Sequence, residues 1–319
     1  MKHIFILNPV AGKTKMALEI RGKIDAYFAR HPEMEYSIRL TDGKGAATRI
    51  ACEECAKGEP IRLYACGGDG TLQETANGIP VNSDHVELAV IPCGSGNDYV
   101  RIFGGRELFL DIPDLIEGTA FPVDAVQCGD LLSLDIAAIG MDAAVADKMQ
   151  KYKHLPGVNG SMAYNLAIVD VFCHPLGENM VIDIDGVDGP IHRSGGYLLT
   201  LAANGQYYGG GYRGAPKAIE NDGILDFVLV KKISRLQIPF FLGKYKSGDH
   251  DELACLEHLR GYAMHVKTEK PAVCTVDGEC FTCDEIDFTL IPNAFNFVLP
   301  ASVYAERVKA NKRKAKVKL

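Results

Sequence analysis

IRLYACGGDGTLQETAN, residues 61–77, passes from an apolar strand through a glycine turn into a helix. Ile61 to Cys66 is a short run of strand-forming residues, Gly67, Gly68 and Gly70 punctuate it, and Leu72 to Asn77 opens a helical segment. Adjacent glycines let backbone N–H groups come close to a phosphate, and the start of the following helix favours negative charge. Asp69 repels a bare phosphate but reaches one through Mg²⁺ and water. The segment therefore reads as a nucleotide loop with a metal partner, and the plain structural alternative is a glycine turn capped by an aspartate.

The flanking sequence repeats this unit. Lys2 to Leu7 is a strand; Ala17, Ile20, Ile24, Tyr27 and Phe28 then follow helical spacing and stop before Pro32. Tyr36 to Leu40 is the next strand, Thr41-Asp42-Gly43 its turn, and Ala46 to Ala56 the next helix. Downstream, Glu87 to Ile91 feeds Pro92-Cys93-Gly94-Ser95-Gly96-Asn97-Asp98. Strands alternating with helices predict an α/β domain with a mainly parallel sheet, whose ligands bind beyond the carboxyl ends of the strands. A third loop, Asn8-Pro9-Val10-Ala11-Gly12-Lys13-Thr14, sits at such an end. It is not a Walker loop, because the position five before Gly12 is Leu7. Asn8, Gly12 and Lys13 are still suited to lining a phosphate site, and three polar glycine loops at one sheet edge point to a ligand.

At 319 residues the chain is long enough for two packed cores. After Pro122 the pattern turns β-like, with Leu131 to Ile139, Asn179 to Ile184, Tyr197 to Ala203, Leu225 to Val230, Ala263 to Lys267 and Phe295 to Leu299 as strands. Two helical inserts, Met162 to Cys173 and Ile238 to Tyr245, interrupt them. The expected division is 1–122, 123–300 and a tail over 301–319. The apolar start MKHIFIL is too short for a secretory segment, and no run approaches the length of a spanning helix. Any membrane contact is therefore expected to be peripheral, with the chain cytoplasmic or at the inner face of the membrane. The ten cysteines read as reduced thiols; the pairs Cys52 with Cys55 and Cys280 with Cys283 have zinc-like spacing without ribbon-like turns between them. The net charge of −7 is uneven: seven Lys or Arg against Glu306 after residue 300 leave the tail near +6 and the rest near −13. An acidic body argues against nucleic acid, whereas the basic tail suits an anionic bilayer.

NPVAGK, GGDGTLQE and PCGSGND, in this order and spacing, resemble the catalytic domain of the diacylglycerol kinase family, which includes bacterial soluble lipid kinases and sphingosine and ceramide kinases. Ile139-Gly140-Met141-Asp142, Gly209-Gly210-Gly211 through Ala215-Pro216-Lys217-Ala218, Asn221-Asp222-Gly223-Ile224-Leu225-Asp226 and Asp277-Gly278-Glu279 resemble its later motifs. The likeness spans roughly residues 2 to 300. It implies an N-terminal α/β domain of the NAD kinase and diacylglycerol kinase type followed by a mainly antiparallel β-sandwich domain. It also implies an ATP- and Mg²⁺-dependent lipid kinase. ATP would contact Asn8, Pro9, Val10, Ala11, Gly12, Thr41, Gly67, Gly68, Asp69, Gly70, Thr71, Leu72, Ser95 and Asn97. Asp69 and Asp124 would organise Mg²⁺ through water, Glu279 would act as base on the lipid hydroxyl, and Ile219, Asp222 and Ile224 would bind a structural metal. Family loops usually carry Thr at the position of Ser95, and the hydroxyl is kept.

The residue types suit phosphoryl transfer, which needs positioning and charge stabilisation and no nucleophilic Cys or His. Arg101 is expected either to pair with a phosphate or to cap a helix, and Cys66 and Cys93 to pack beside the loops. An NAD kinase shares GGDGT but has a different second region where this chain has PCGSGND. A silent lipid-binding protein would have lost Asp69 or Glu279. Diacylglycerol is the first acceptor expected; phosphatidylglycerol or a sphingoid base stays open, as does a homodimer.

Overall fold

A computed structural model describes residues 1–12, 14–94, 96–153, 155, 157–158, 160–173 and 176–317. The chain forms two compact units: Met1–Val123 with Asn293–Leu319, and Asp124–Pro292. The consecutive blocks expected from the sequence differ from this at residues 293–319, which return to the first unit.

In the first unit β1 (Lys2–Leu7), α1 (Thr14–Phe28), β2 (Tyr36–Leu40), α2 (Ala46–Cys55), β3 (Ile61–Gly67), α3 (Asp69–Asn77) and β4 (Val86–Pro92) alternate, with a short α4 (Ile112–Ile116) after them. β1 pairs in parallel with β2 and β3, and β3 with β4. Ile4 to Leu7 and Ile61 to Cys66 are buried on both strand faces, as continuous apolar runs in a covered parallel sheet should be. Two polar residues in this core are matched. His3 shares a 2.8 Å hydrogen bond with the Tyr64 hydroxyl, and burial, helped by Arg62, pushes the imidazole down to about 4. Arg62 itself pairs with Glu87 at 2.6 Å and donates to the carbonyls of Ile116 and Gly118, neutralising the carboxyl end of α4.

β5 (Thr119–Cys128) leads into the second unit, where β6 (Leu131–Ser133), β7 (Ile136–Gly140), α5 (Met141–Lys153), α6 (Gly160–Cys173), β8 (Glu178–Gly186), β9 (Gly189–Ala203), β10 (Leu225–Lys231), α7 (Ile238–Ser247) and β11 (Leu256–Val276) follow. β12 (Glu279–Leu299) closes a hairpin with β11 and ends in the first unit, where Asn296 and Phe297 pair in parallel with Glu87 and Leu88 of β4. α8 (Ala301–Val317) follows it. The long strands β9 and β11 each pair antiparallel with β7, β8 and β10, giving a sandwich-like domain. β10 shows how it is filled: Leu225, Phe227 and Leu229 enter the core between strands, while Val228 and Val230 face a second core with Ala167 of α6 and Phe241 of α7. Period-two alternation with both faces covered explains the apolar run LDFVLV.

Leu131 to Ile139 is two strands rather than one. The chain breaks at Leu134 and Asp135 to wrap the carboxylate of Asp277, which accepts hydrogen bonds from the Ser133 hydroxyl at 2.6 Å and from the N–H groups of Leu134 at 2.8 Å, Ile136 at 3.1 Å and Asp135 at 3.3 Å. Asp277 and Gly278 both have positive φ, 47° and 95°, the geometry of a two-residue hairpin turn for which Asp-Gly is favoured. Asp277→Asn keeps that turn preference but removes the charged acceptor, and should lower the unfolding free energy by about 2–3 kcal/mol. Chemical denaturation measures it; an unchanged midpoint and slope would show that the carboxylate is dispensable.

Candidate active site

In the first unit the loops after β1, β3 and β4 meet backbone to backbone. The Gly94 N–H donates to the Gly67 carbonyl at 2.9 Å, and the Asp69 N–H to the Gly96 carbonyl at 3.1 Å. A Cβ on Gly94 would lie 2.3 Å from the Gly68 Cα, and one on Gly67 would lie 2.1 Å from the Thr71 hydroxyl oxygen. Gly12, at φ 65°, presses against Cys93, whose carbonyl oxygen would stand 2.3 Å from a Cβ at that position. Glycine is needed at these positions for closeness. Gly70 differs, because among the described residues a Cβ there would meet nothing within 4 Å; that side is at the amino end of α3, where anions are favoured.

The Asp69 carboxylate accepts from the Asp98 N–H, with its two oxygens at 2.9 and 3.1 Å. The Asn8 amide donates to the Thr71 hydroxyl at 3.3 Å, and Asn8 Oδ1 takes the Val10 N–H at 3.1 Å. Thr41 is tied to the end of β1 through its N–H to the Leu7 carbonyl at 3.0 Å. Asn97 is buried; its amide donates to the Gly94 carbonyl at 2.8 Å, while its Oδ1 has no hydrogen-bond partner among the described residues. The expected nucleotide residues of the first unit are thus gathered at one sheet edge, Pro9, Ala11 and Leu72 among them as loop and helix-start positions. Ser95 and Lys13 lie outside the described residues.

Other side chains around these loops have partners of their own. Arg101 Nε pairs with the Asp98 carboxylate at 2.8 Å. Glu74, inside GGDGTLQE, accepts the N–H groups of Gly45 and Ala47 and so caps α2, a role no local pattern signals. Cys66 and Cys93 are buried packing residues, and burial pushes both thiols up, Cys93 to about 11.

The second unit holds the other expected residues. Asp124 is buried, and its Oδ2 accepts the Gly223 N–H at 2.8 Å while its own N–H donates to the Glu220 carbonyl at 2.8 Å. Asp124 therefore seats the loop Ile219 to Ile224 directly. The Asn204 amide donates to the carbonyls of Asp124 at 2.7 Å and Leu134 at 3.0 Å, and the Leu134 N–H runs on to Asp277. Glu279, half-buried, starts β12 immediately after the turn that Asp277 fixes, and Gln150 holds that turn through the Gly278 carbonyl at 2.7 Å. One hydrogen-bond chain thus joins Glu279's turn, Asp124 and the 219–224 loop.

Within that loop Asp222 accepts the Ile224 N–H at 3.2 Å and forms an ion pair with Arg260. Burial pushes its carboxyl above the usual range and Arg260 opposes that. Each unit has hard oxygen donors of the type Mg²⁺ takes, Asp69 and Asn97 Oδ1 in the first and Asp124 and Asp222 in the second, and a cation at Asp222 has to compete with the Arg260 guanidinium. Among the described residues no group of three or more His, Cys, Asp or Glu side chains is arranged to hold a metal, the cysteine pairs included.

Asp142 opens α5, its carboxylate taking the Tyr208 hydroxyl at 2.8 Å and the Ala143 N–H at 2.9 Å; Tyr208 in turn contacts the Tyr245 hydroxyl at 2.9 Å.

The diacylglycerol kinase catalytic domain family matches residues 2–128, and the YegS C-terminal NAD kinase beta sandwich-like domain matches residues 135–299. The chain belongs to this family. It is 27% identical to a Shewanella frigidimarina protein named "Probable lipid kinase YegS-like", over 94% of each chain, and 27% identical to the "Diacylglycerol kinase" of Bacillus subtilis strain 168, over 86% of this chain and 88% of that one. The crystal structure of a diacylglycerol kinase from Bacillus anthracis strain Sterne has the same fold, with a TM-score of 0.66 at 22% identity over 95% of this chain and 98% of the other.

Two measurements test the geometry. Gly94→Ala, with backbone in the way, should lower unfolding free energy by about 3 kcal/mol, whereas Gly70→Ala should leave it unchanged or slightly raised; equal effects would contradict the close approach. Burial raises the Asp142 carboxyl from 3.8 to about 6, so the folded state holds a proton that the unfolded state has released. Stability present below pH 3.8 is lost as pH rises to about 6, a fall of about 2 kcal/mol once residual exposure is allowed for. Asp142→Asn should flatten that fall in denaturation midpoints measured across the window.

Proposed function

We propose that this chain is an ATP- and Mg²⁺-dependent lipid kinase that phosphorylates a lipid hydroxyl, with diacylglycerol, giving phosphatidate, as the acceptor. The observation that carries the reading is the backbone contact between the 67–70 and 94–98 loops at the start of α3, with the Gly70 side left open. The names of the relatives, a lipid kinase and a diacylglycerol kinase, support the substrate class.

In this reading Asn8, Pro9, Val10, Ala11, Gly12, Thr41, Gly67, Gly68, Gly70, Thr71, Leu72, Ser95 and Asn97 line ATP, with backbone N–H groups and the α3 dipole facing the phosphates. Asp69 and Asp124 hold Mg²⁺ through water, and bound Mg²⁺ supplies charge neutralisation for the transferring phosphoryl group. Glu279 accepts the proton of the acceptor hydroxyl; that oxygen forms the new bond to the γ-phosphorus as the bond to the ADP oxygen breaks. The turn at Asp277 fixes where this carboxylate starts, which matters because general-base catalysis depends on reach before it depends on pKa. Ile219, Asp222 and Ile224 form the structural metal loop, which Asp124 couples to the reacting side of the unit.

Labelled ATP with Mg²⁺ and a panel of diacylglycerol, phosphatidylglycerol and a sphingoid base, read by product identity, tests the proposal. Label should enter phosphatidate, and Glu279→Gln should lower kcat by about 10²–10⁴-fold with little change in the KM for ATP. No label in any lipid would sink the kinase reading; label in another lipid alcohol would replace the acceptor, and full activity in Glu279→Gln would remove its role as base.

A further inference from the structure

Between Phe227 and Gly248 the chain has no acidic residue and five cations, Lys231, Lys232, Arg235, Lys244 and Lys246. This stretch includes the end of β10, a single 3-10 turn over Arg235–Gln237, and α7. Ile238, Phe241 and Tyr245 of α7 are buried in the second core. That uses the inner face of the helix. Leu236 and Phe240, one helical turn apart, are left outside, 93% and 64% exposed. The Lys244 ammonium lies 5.4 Å from the centre of the Phe240 ring, and Lys231 is taken by Glu257 at 2.8 Å.

Single exposed hydrophobic residues are ordinary. A leucine and a phenylalanine this exposed, at neighbouring positions in a stretch of sequence with five cations and no acidic residue, form a more specific pattern. It is that of an interfacial helix, whose apolar side chains enter the acyl boundary while its cations meet headgroup phosphates. A second copy of the patch is a poor occupant, because a two-fold contact would set cation against cation.

We infer that Leu236 and Phe240, framed by Lys232, Arg235 and Lys244, are a docking surface for an anionic lipid bilayer. The inference adds a surface to the lipid-kinase reading, and vesicle binding without ATP tests it whether or not the chain turns over lipid. Sedimentation is compared with phosphatidylcholine vesicles and with the same vesicles containing one third phosphatidylglycerol, at low and high salt. The native chain should bind only the anionic vesicles and lose binding as salt rises. Leu236→Ala with Phe240→Ala should weaken binding about tenfold at either salt. Lys232→Glu with Lys244→Glu should weaken it at least tenfold, mainly at low salt. Because Lys232, Leu236 and Phe240 are exposed and Lys244 is only half-buried, both double variants should fold, and circular dichroism should show native secondary structure in each. Absence of binding by the native chain, native-like binding by the apolar double variant, or loss of binding only on removal of residues 307–319 would each overturn the inference. So would a change in solution mass in the double variant, which would make the patch a self-association face.

Discussion

The carboxylate of Asp277 gathers one hydroxyl and three backbone N–H groups, and much of the second unit is arranged by that act. A buried charge is tolerable only with its hydrogen bonds supplied, so the chain before it cannot continue as a regular strand and splits into β6 and β7. The same residue stands in the left-handed region and reverses the chain between the two longest strands. From Leu134 the chain of contacts passes through the Asn204 amide to Asp124 and from there to Gly223. The residue proposed as base and those proposed as metal partners in this unit therefore share one rigid polar scaffold. In the first unit Asp69 does related work on a smaller scale, fastening the loop after β4 to the start of α3.

How much of this is legible in the sequence depends on the range of the interactions. The βα units of the first unit follow from apolar periodicity and glycine punctuation, which are local, and β1, β2, β3 and β4 lie close to where the sequence puts them. Helix α5 is not visible there because MDAAVADKMQKYK carries little apolar contrast, its few inward residues, such as Val145, being set by the strands beneath. Strands β11 and β12 are each 21 residues long, yet only parts of them read as strands. Their polar residues point outward on a hairpin whose pairing, not its composition, maintains it.

The site shows the same division. The glycine loops announce themselves because close backbone approach admits few residue types. Roles assigned by distant partners do not: Glu74 reads as part of a phosphate motif and caps a neighbouring helix, and Arg101, open in the sequence to a phosphate or to a helix cap, pairs with Asp98. The basic end of the chain shows the same dependence on distant partners. Arg307 counts as free positive charge in the sequence, but its guanidinium lies over the rings of Phe121 and Phe103, at 4.8 and 5.9 Å, so part of the tail is bound up in holding α8 to its own unit.

The return of residues 293–299 to the first unit has a consequence for biosynthesis. On a ribosome the first 123 residues emerge as a sheet with the outer edge of β4 unsatisfied, its partner strand still more than a hundred and fifty codons away. That open edge is a template for unwanted strand addition until the end of β12 has been made. The sandwich, contiguous in sequence, can complete itself during this interval, whereas the nucleotide unit reaches its final form only when the last strand is delivered. Truncation near the C-terminus would therefore harm the fold of the N-terminal half.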